Sequence, residues 1–263
     1  MRVPSPRFVV TLVAGLAIFL VPVATAASAS AQMSVTAQPN KTLVQTDTSF
    51  HITGSVLNAT APLVVRLQAS VDKGWSNVGS RHTSAAGVYS ISLKENHVGT
   101  DTFRVAVYQT AAAPLPTTVP LGVSPTFKVT IASWTYLSTW KPMNRGGQTG
   151  QVEINGVTYS SSVYYNDANG AGHRYTEYAL KRHCYELTGV LGLNDLDYAG
   201  TYGEFMVLTD GKTVLDATVR VGQARPMDLH VAGVLVLHLG WTFSDPYHRY
   251  TMAYGNARVF CSF

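Results

Sequence analysis

Short runs of alternating apolar and polar residues, each closed by a turn signal, recur from Ser34 to the C-terminus, and nowhere do apolar residues sustain helical spacing. A chain patterned this way must satisfy its backbone between strands. Thr, Ser, Val, Gly and Tyr are plentiful while charged residues make up only 13% of the chain, which favours sheet over helix. The expectation is an all-β protein.

The first residues have a different pattern. Arg2 and Arg7 give a basic start, Phe8 to Val21 is apolar apart from Thr11 and Gly15, and Pro22 leads into the small-residue stretch Ala24 to Ala31. Ala27-Ser28-Ala29 and Ala29-Ser30-Ala31 fit signal-peptidase sites, so residues 1–31 read as a secretory signal peptide. The alternative is a membrane anchor, but the run falls short of the ~18–20 uninterrupted apolar residues that a spanning helix needs. No lipidation cysteine follows, and no C-terminal anchor segment is visible. The expected location is extracellular, released or held non-covalently at a cell wall, with no span in the mature chain.

The formal charge of +4 includes Arg2 and Arg7, so it falls to about +2 after cleavage. No basic stripe runs along the chain, which argues against nucleic acid as a partner. The two cysteines, Cys184 and Cys261, read as one disulfide in an exported chain. A monomer is expected.

Between Ser34 and Ile131, strands are expected at Phe50–Val56, Leu63–Leu67, Tyr89–Leu93, Thr102–Val107 and Thr126–Ile131, with Gly87 and Gly99 as breaks. Six or seven strands in ~100 residues point to an antiparallel sandwich. Gly54-Ser55-Val56, Val65-Arg66-Leu67-Gln68, Gly74-Trp75-Ser76-Asn77-Val78, Thr83, Gly87-Val88-Tyr89 and Phe103-Arg104-Val105 give residues 32–132 a resemblance to bacterial immunoglobulin-like (Ig-like) modules of secreted proteins. The resemblance implies a spacer, with Trp75 as a packing aromatic. Ala111 to Val123, with Pro114, Pro116 and Pro120, reads as a long loop, and the boundary between modules is expected near Ala132-Ser133 with a short linker.

Beyond Trp134, Glu153–Tyr159 and Phe205–Leu215 each read as strand, turn, strand around Asn155-Gly156 and Asp210-Gly211. Both dipeptides accept the positive φ angles of tight hairpins, so Asp210 is a turn residue rather than an acid catalyst. His183 to Leu193 reads as a strand entering an acidic loop, Met227 to Leu239 as an apolar pattern reset by Gly233, and Ala257 to Cys261 as a last strand. If the strands bearing Cys184 and Cys261 are neighbours, the two thiols can bridge.

Tyr136-Leu137-Ser138, Ile154-Asn155-Gly156-Val157-Thr158-Tyr159, Tyr178-Ala179-Leu180, Gly192-Leu193-Asn194-Asp195, Phe205 to Lys212 and Val231 to Leu239 occur in an order and spacing that resemble the NPCBM/NEW2 family, also classed as carbohydrate-binding module family 51. The resemblance covers residues 133–263. It implies a galactose-binding-like jelly-roll β-sandwich that holds sugars in loops at one end. Two departures stand out. Ser162 and Asn166 occupy places where the family has Gly and His, and Thr251-Met252-Ala253-Tyr254-Gly255-Asn256 replaces a His-containing aromatic motif.

A sugar ring offers an apolar face and a rim of hydroxyls, so its site needs an aromatic platform beside planar hydrogen-bonding groups. The stretches Tyr164–Tyr175 and Trp241–Tyr250 have that mixture. The candidate contacts are Tyr165, Asn166, His173, Arg174, Tyr247, His248 and Arg249, with Trp241 as platform. No cofactor is called for. Asn194, Asp195 and Asp197 offer oxygens for a bracing calcium or form a solvated acidic loop, and the dispersed histidines give no zinc spacing.

No nucleophile elbow, zincin helix or phosphate-binding glycine loop occurs, and Glu153, Glu177, Glu186 and Glu204 lie in or beside strands with no motif around them. The expectation is a non-enzymatic glycan or polysaccharide binder. The alternative is a surface module that has lost sugar binding and contacts a protein or braces its neighbour.

Overall fold

A computed structural model describes residues 32–59, 62–72, 74–109, 119–144, 146–167, 172–243 and 249–263. The signal-peptide reading of residues 1–31 lies outside them. The chain is all-β as expected. Among the described residues there is no α-helix, only a short 3-10 turn at Leu137–Thr139, and no helix long and apolar enough to cross a membrane.

Among the described residues nine strands precede that turn: β1 (Gln38–Pro39), β2 (Leu43–Gln45), β3 (Ser49–Ser55), β4 (Val64–Val71), β5 (Gly74–His82), β6 (Val88–Lys94), β7 (Gly99–Tyr108), β8 (Gly122–Val123) and β9 (Phe127–Tyr136). A small sheet in the order β1-β3-β6 faces a larger one built on β5-β4-β7-β9, with β8 beside β7 and β2 parallel to β9. Alternation puts Phe50 and Ile52 of β3, Leu67 of β4, Phe103 and Val105 of β7 and Ile131 of β9 into one core, all fully buried.

Nine more strands follow: β10 (Gln148–Ile154), β11 (Val157–Asp167), β12 (Gly172–Ala179), β13 (Cys184–Leu193), β14 (Tyr202–Thr209), β15 (Lys212–Arg220), β16 (Arg225–His230), β17 (Val236–Phe243) and β18 (Tyr250–Cys261). A four-stranded sheet, β12-β17-β14-β15, covers β10, β11, β18, β13 and β16, which through the β18–β9 pairing belong to the same eleven-stranded sheet as β9, β7, β4 and β5. Their inner faces share a second core that includes Tyr178, Leu191, Phe205, Leu239, Trp241 and Tyr254.

Both hairpins predicted from their turn dipeptides are present. Asn155 and Gly156 have φ of 50° and 72°, and Asp210 and Gly211 have 48° and 81°, the left-handed pair that a two-residue hairpin requires. The Asp210 carboxylate also accepts the backbone N–H groups of Leu235 and Val236, which holds it below the usual carboxylate range. Asp210 thus acts as a turn residue.

The Trp75 stretch adds a full strand, β5, paired with β4, to those expected from alternation. Ala132-Ser133, where the short linker is expected, lies inside β9, whose first half pairs with β7 and whose last residues pair with β18. The backbone therefore passes from one core to the other without leaving a ladder. Most of the expected proline loop lies outside the described residues, and Gly122–Val123 forms β8.

Cys184 and Cys261 face each other across β13 and β18 and are bonded, joining positions 77 residues apart. Closing a loop of that length stabilises the fold by about 4 kcal/mol in the chain-entropy account. Replacing both cysteines by alanine is expected to lower the thermal midpoint by about 10 °C in calorimetry. An unchanged midpoint would mean that β18 is held by its ladders alone.

Candidate functional site

Four strand ends meet at one end of the C-terminal sandwich. Asp167 at the end of β11 pairs with Tyr250 at the start of β18, and Gly172 at the start of β12 pairs with Phe243 at the end of β17. The described ends of the two predicted stretches are thus brought to the same place, with Phe243 packed against both Tyr165 and Tyr250. Tyr247 and His248 lie outside the described residues. The stretches contain less loop than the sequence implies, because β11 runs to Asp167 and β17 to Phe243.

That difference decides the role of Trp241, which was expected to be an exposed sugar platform and is instead fully buried. As an inward position of a strand it packs 6.0 Å from Tyr165 and 5.3 Å from Tyr254, ring centre to ring centre. Its indole N–H is the one buried side-chain polar atom without a hydrogen-bond partner among the described residues. Trp241 is a core residue beneath the site. Tyr254, the aromatic in the altered C-terminal motif, is also fully buried.

Above Trp241 the surface is layered. Tyr165 is half-buried against Trp241 and Phe243. The Arg174 guanidinium lies over the Tyr165 ring at 5.8 Å and donates to the His173 carbonyl at 3.1 Å. His173 is exposed, with its Nδ1 2.9 Å from the Thr242 hydroxyl of β17. Asn166 and Arg249 are exposed on β11 and just before β18. Of the eight proposed contacts, Tyr165, Asn166, His173 and Arg174 thus lie on the two strands that meet at this end.

Sequence reasoning missed Thr242, which orients His173, and Tyr175. The latter is exposed on the outer face of β12, with its ring across Gly240; a Cβ there would come within 3.2 Å of it. Its signal was the two-residue spacing from His173, which puts both on one face of a strand. The neighbouring positions on that face are Glu177 and His238, whose side chains lie 3.3 Å apart.

The residues considered for calcium serve as braces. Both Asp195 oxygens accept backbone N–H groups of the β10–β11 turn, from Asn155 at 2.7 Å and Gly156 at 2.6 Å. The Asn194 side chain caps Leu196, and Asp197 accepts the Thr251 N–H at 2.9 Å. These contacts tie the β13–β14 loop to the hairpin and to the start of β18. Among the described residues, the His, Asp and Glu ligand atoms that do cluster are those of Glu95 and His97, between β6 and β7, and Asp101 near the start of β7.

Burial, with the nearby Asp195 charge adding to it, pushes the Asp197 carboxyl up to about 6 against the opposing pull of its backbone hydrogen bonds. An unfolded Asp titrates near about 3.9, so between about pH 4 and pH 6 the native state holds the extra proton. Stability from this group is greatest below that window and is lost as pH rises through 6. The thermal midpoint of Asp197→Asn is expected to fall less than that of the native chain between pH 4 and pH 7. Parallel pH curves would show that Asp197 carries no such linkage.

The family model for the NPCBM/NEW2 domain matches residues 128–259. A comparison with curated proteins finds no match. Among solved structures, the chain is similar to CBM51-2 with INT domains of Clostridium perfringens ZmpB in complex with GlcNAc. The identity is 11% and the TM-score 0.40, over 80% of this chain and 43% of that one. It is also similar to CBM51 of Clostridium perfringens GH95 in complex with methyl-galactose, at 18% identity and a TM-score of 0.37, over 48% of this chain and 99% of that one. The chain thus spans less than half of the first of these structures.

Proposed function

Because this chain belongs to the NPCBM/NEW2 domain family over residues 128–259, we propose that it is a secreted, non-catalytic carbohydrate-binding protein that holds glycans at the Tyr165–Arg174 end of its C-terminal sandwich. In this reading residues 32–132 form an Ig-like spacer and residues 133–263 the binding module. The observation that carries it is the Arg174 guanidinium laid over Tyr165, beside the His173–Thr242 pair. A guanidinium fixed on a ring presents a rigid plane of donors. With His173 and Asn166 beside it, this end offers the planar hydrogen-bonding groups that grip vicinal hydroxyls.

With Trp241 in the core, the site lacks a large open indole. Recognition falls to Arg174, His173 and Asn166, with Arg249 close by, and a shallow polar site of this kind gains little over water. Affinities of about micromolar to millimolar are expected.

The burial of Trp241 is also what favours the second reading, a surface module that braces a neighbour or contacts a protein. A glycan array carrying galactose-, mannose- and amino-sugar-containing structures separates the two. The native chain is expected to bind at least one class, and Arg174→Ala to weaken that binding about tenfold with an unchanged thermal midpoint. Silence across the array would leave the second reading standing.

A further inference from the structure

In the N-terminal sandwich, the face of β5, β4 and β7 turned away from the core gathers polar and cationic side chains around Trp75. Register places Trp75 opposite Ser70, Asn77 opposite Gln68 and Ser80 opposite Arg66, while Gln68 and Arg66 face Arg104 and Ala106 on the other side. These positions alternate with core residues such as Leu67, Phe103 and Val105, so they lie on the opposite face of the sheet, where Arg66, Gln68 and Ala106 are buried and Asn77 and Ser80 are exposed.

The guanidinium of Arg104 lies 4.2 Å from the centre of the Trp75 ring. Its Nε donates to Gln68 Oε1 at 2.9 Å, and the Gln68 amide donates in turn to Asn77 Oδ1 at 3.0 Å. Arg104 is therefore stacked and oriented through its Nε before any ligand arrives, which leaves its Nε committed and its two terminal nitrogens for a ligand. No carboxylate pairs with it among the described residues. Asn77 also borders a groove of about 570 Å³ lined by Ser80, Arg81 and His82, with the buried Arg66, held over the Tyr108 ring, at its base.

The charge is one-sided. Between Met33 and Ala132 the carboxylates are Asp47, Asp72, Glu95 and Asp101. Asp47 pairs with Lys94, and Glu95 and Asp101 flank His97, so three of the four are committed away from this face, and Asp72 sits at the β4–β5 turn.

We propose that this face is a second binding site, for an acidic polysaccharide whose ring carboxylates dock on the Arg104 fork and whose chain lies along the groove at Asn77, Ser80 and His82. A planar fork matches a carboxylate in two parallel hydrogen bonds. The exposed Asn77 and Ser80 supply partners for the hydroxyls that separate one carboxylate from the next, while the buried Gln68 only orients Arg104 and Asn77. The sparse cations suit a chain with isolated carboxylates better than the close phosphates of nucleic acid. The site is independent of the one at Arg174.

Titration calorimetry of the purified chain with an oligogalacturonide tests this, with neutral galactan, dextran sulfate and duplex DNA as comparisons. Binding is expected at about 0.15 M salt, where diffuse surface attraction is largely screened. Arg104→Gln is expected to weaken it about tenfold, with Trp75→Ala and Arg104→Lys also weaker than the native chain because each disturbs the stacked fork. Arg174→Ala should leave it unchanged, which separates failure here from failure of the C-terminal site. Circular dichroism checks folding, and Arg104→Lys carries the test if the glutamine variant does not fold. The proposal is overturned by absence of oligogalacturonide binding, by binding that Arg104→Gln leaves intact, or by dextran sulfate or DNA binding as tightly as the uronide.

Discussion

The C-terminal sandwich depends on its last strand. β18 pairs with β11, β13 and β9, carries one end of the disulfide, and buries Met252, Tyr254, Ala257 and Val259 in the core. From its middle, the Tyr254 hydroxyl crosses between the sheets. It lies 2.7 Å from the Met206 carbonyl and 2.8 Å from the Gly240 carbonyl, which are paired positions on β14 and β17. A phenol buried without a partner costs several kcal/mol. Sheet separation and the register of β17 against β18 are therefore linked to one hydroxyl. Burial at this point also raises its pKa far above the usual range, so the link holds at any ordinary pH.

That link has a direct consequence one residue further along. With Gly240 held at Tyr254, Trp241 turns inward against Tyr254 and Tyr165, and its size fills the core beneath the site. Tyr165 then has a rigid floor, and Arg174 has a ring on which to lie. The surface chemistry of this end is set from below: the largest aromatic fixes where the guanidinium can sit without meeting a ligand itself.

The strands of both sandwiches were legible in alternation, and the hairpins in Asn155-Gly156 and Asp210-Gly211, because those signals act over a few residues. The pairing of Cys184 with Cys261 was legible because two cysteines leave a single intramolecular choice. Trp241 was misread because an aromatic next to polar residues has the same local pattern in a loop as at the end of a buried strand; only the length of β17 distinguishes them. β5 was passed over since its outward residues, Trp75 to His82, are mostly polar on both sides of an edge strand. The braces at Asp195 and Asp197 depend on backbone groups 40 and 54 residues away, at Asn155 and Thr251. No local pattern encodes such distances.

The continuity of β9 bears on how two weak sites would act together. A flexible linker gives a second binding event an effective concentration set by its length, at the cost of ordering the linker on each encounter. Here Phe127 to Tyr136 is a single strand that pairs first with β7 and then with β18. The join is ordered before binding, and little linker entropy remains to be lost. A ligand long enough to meet both proposed sites would have to follow this ordered join rather than draw a loose linker to its own shape.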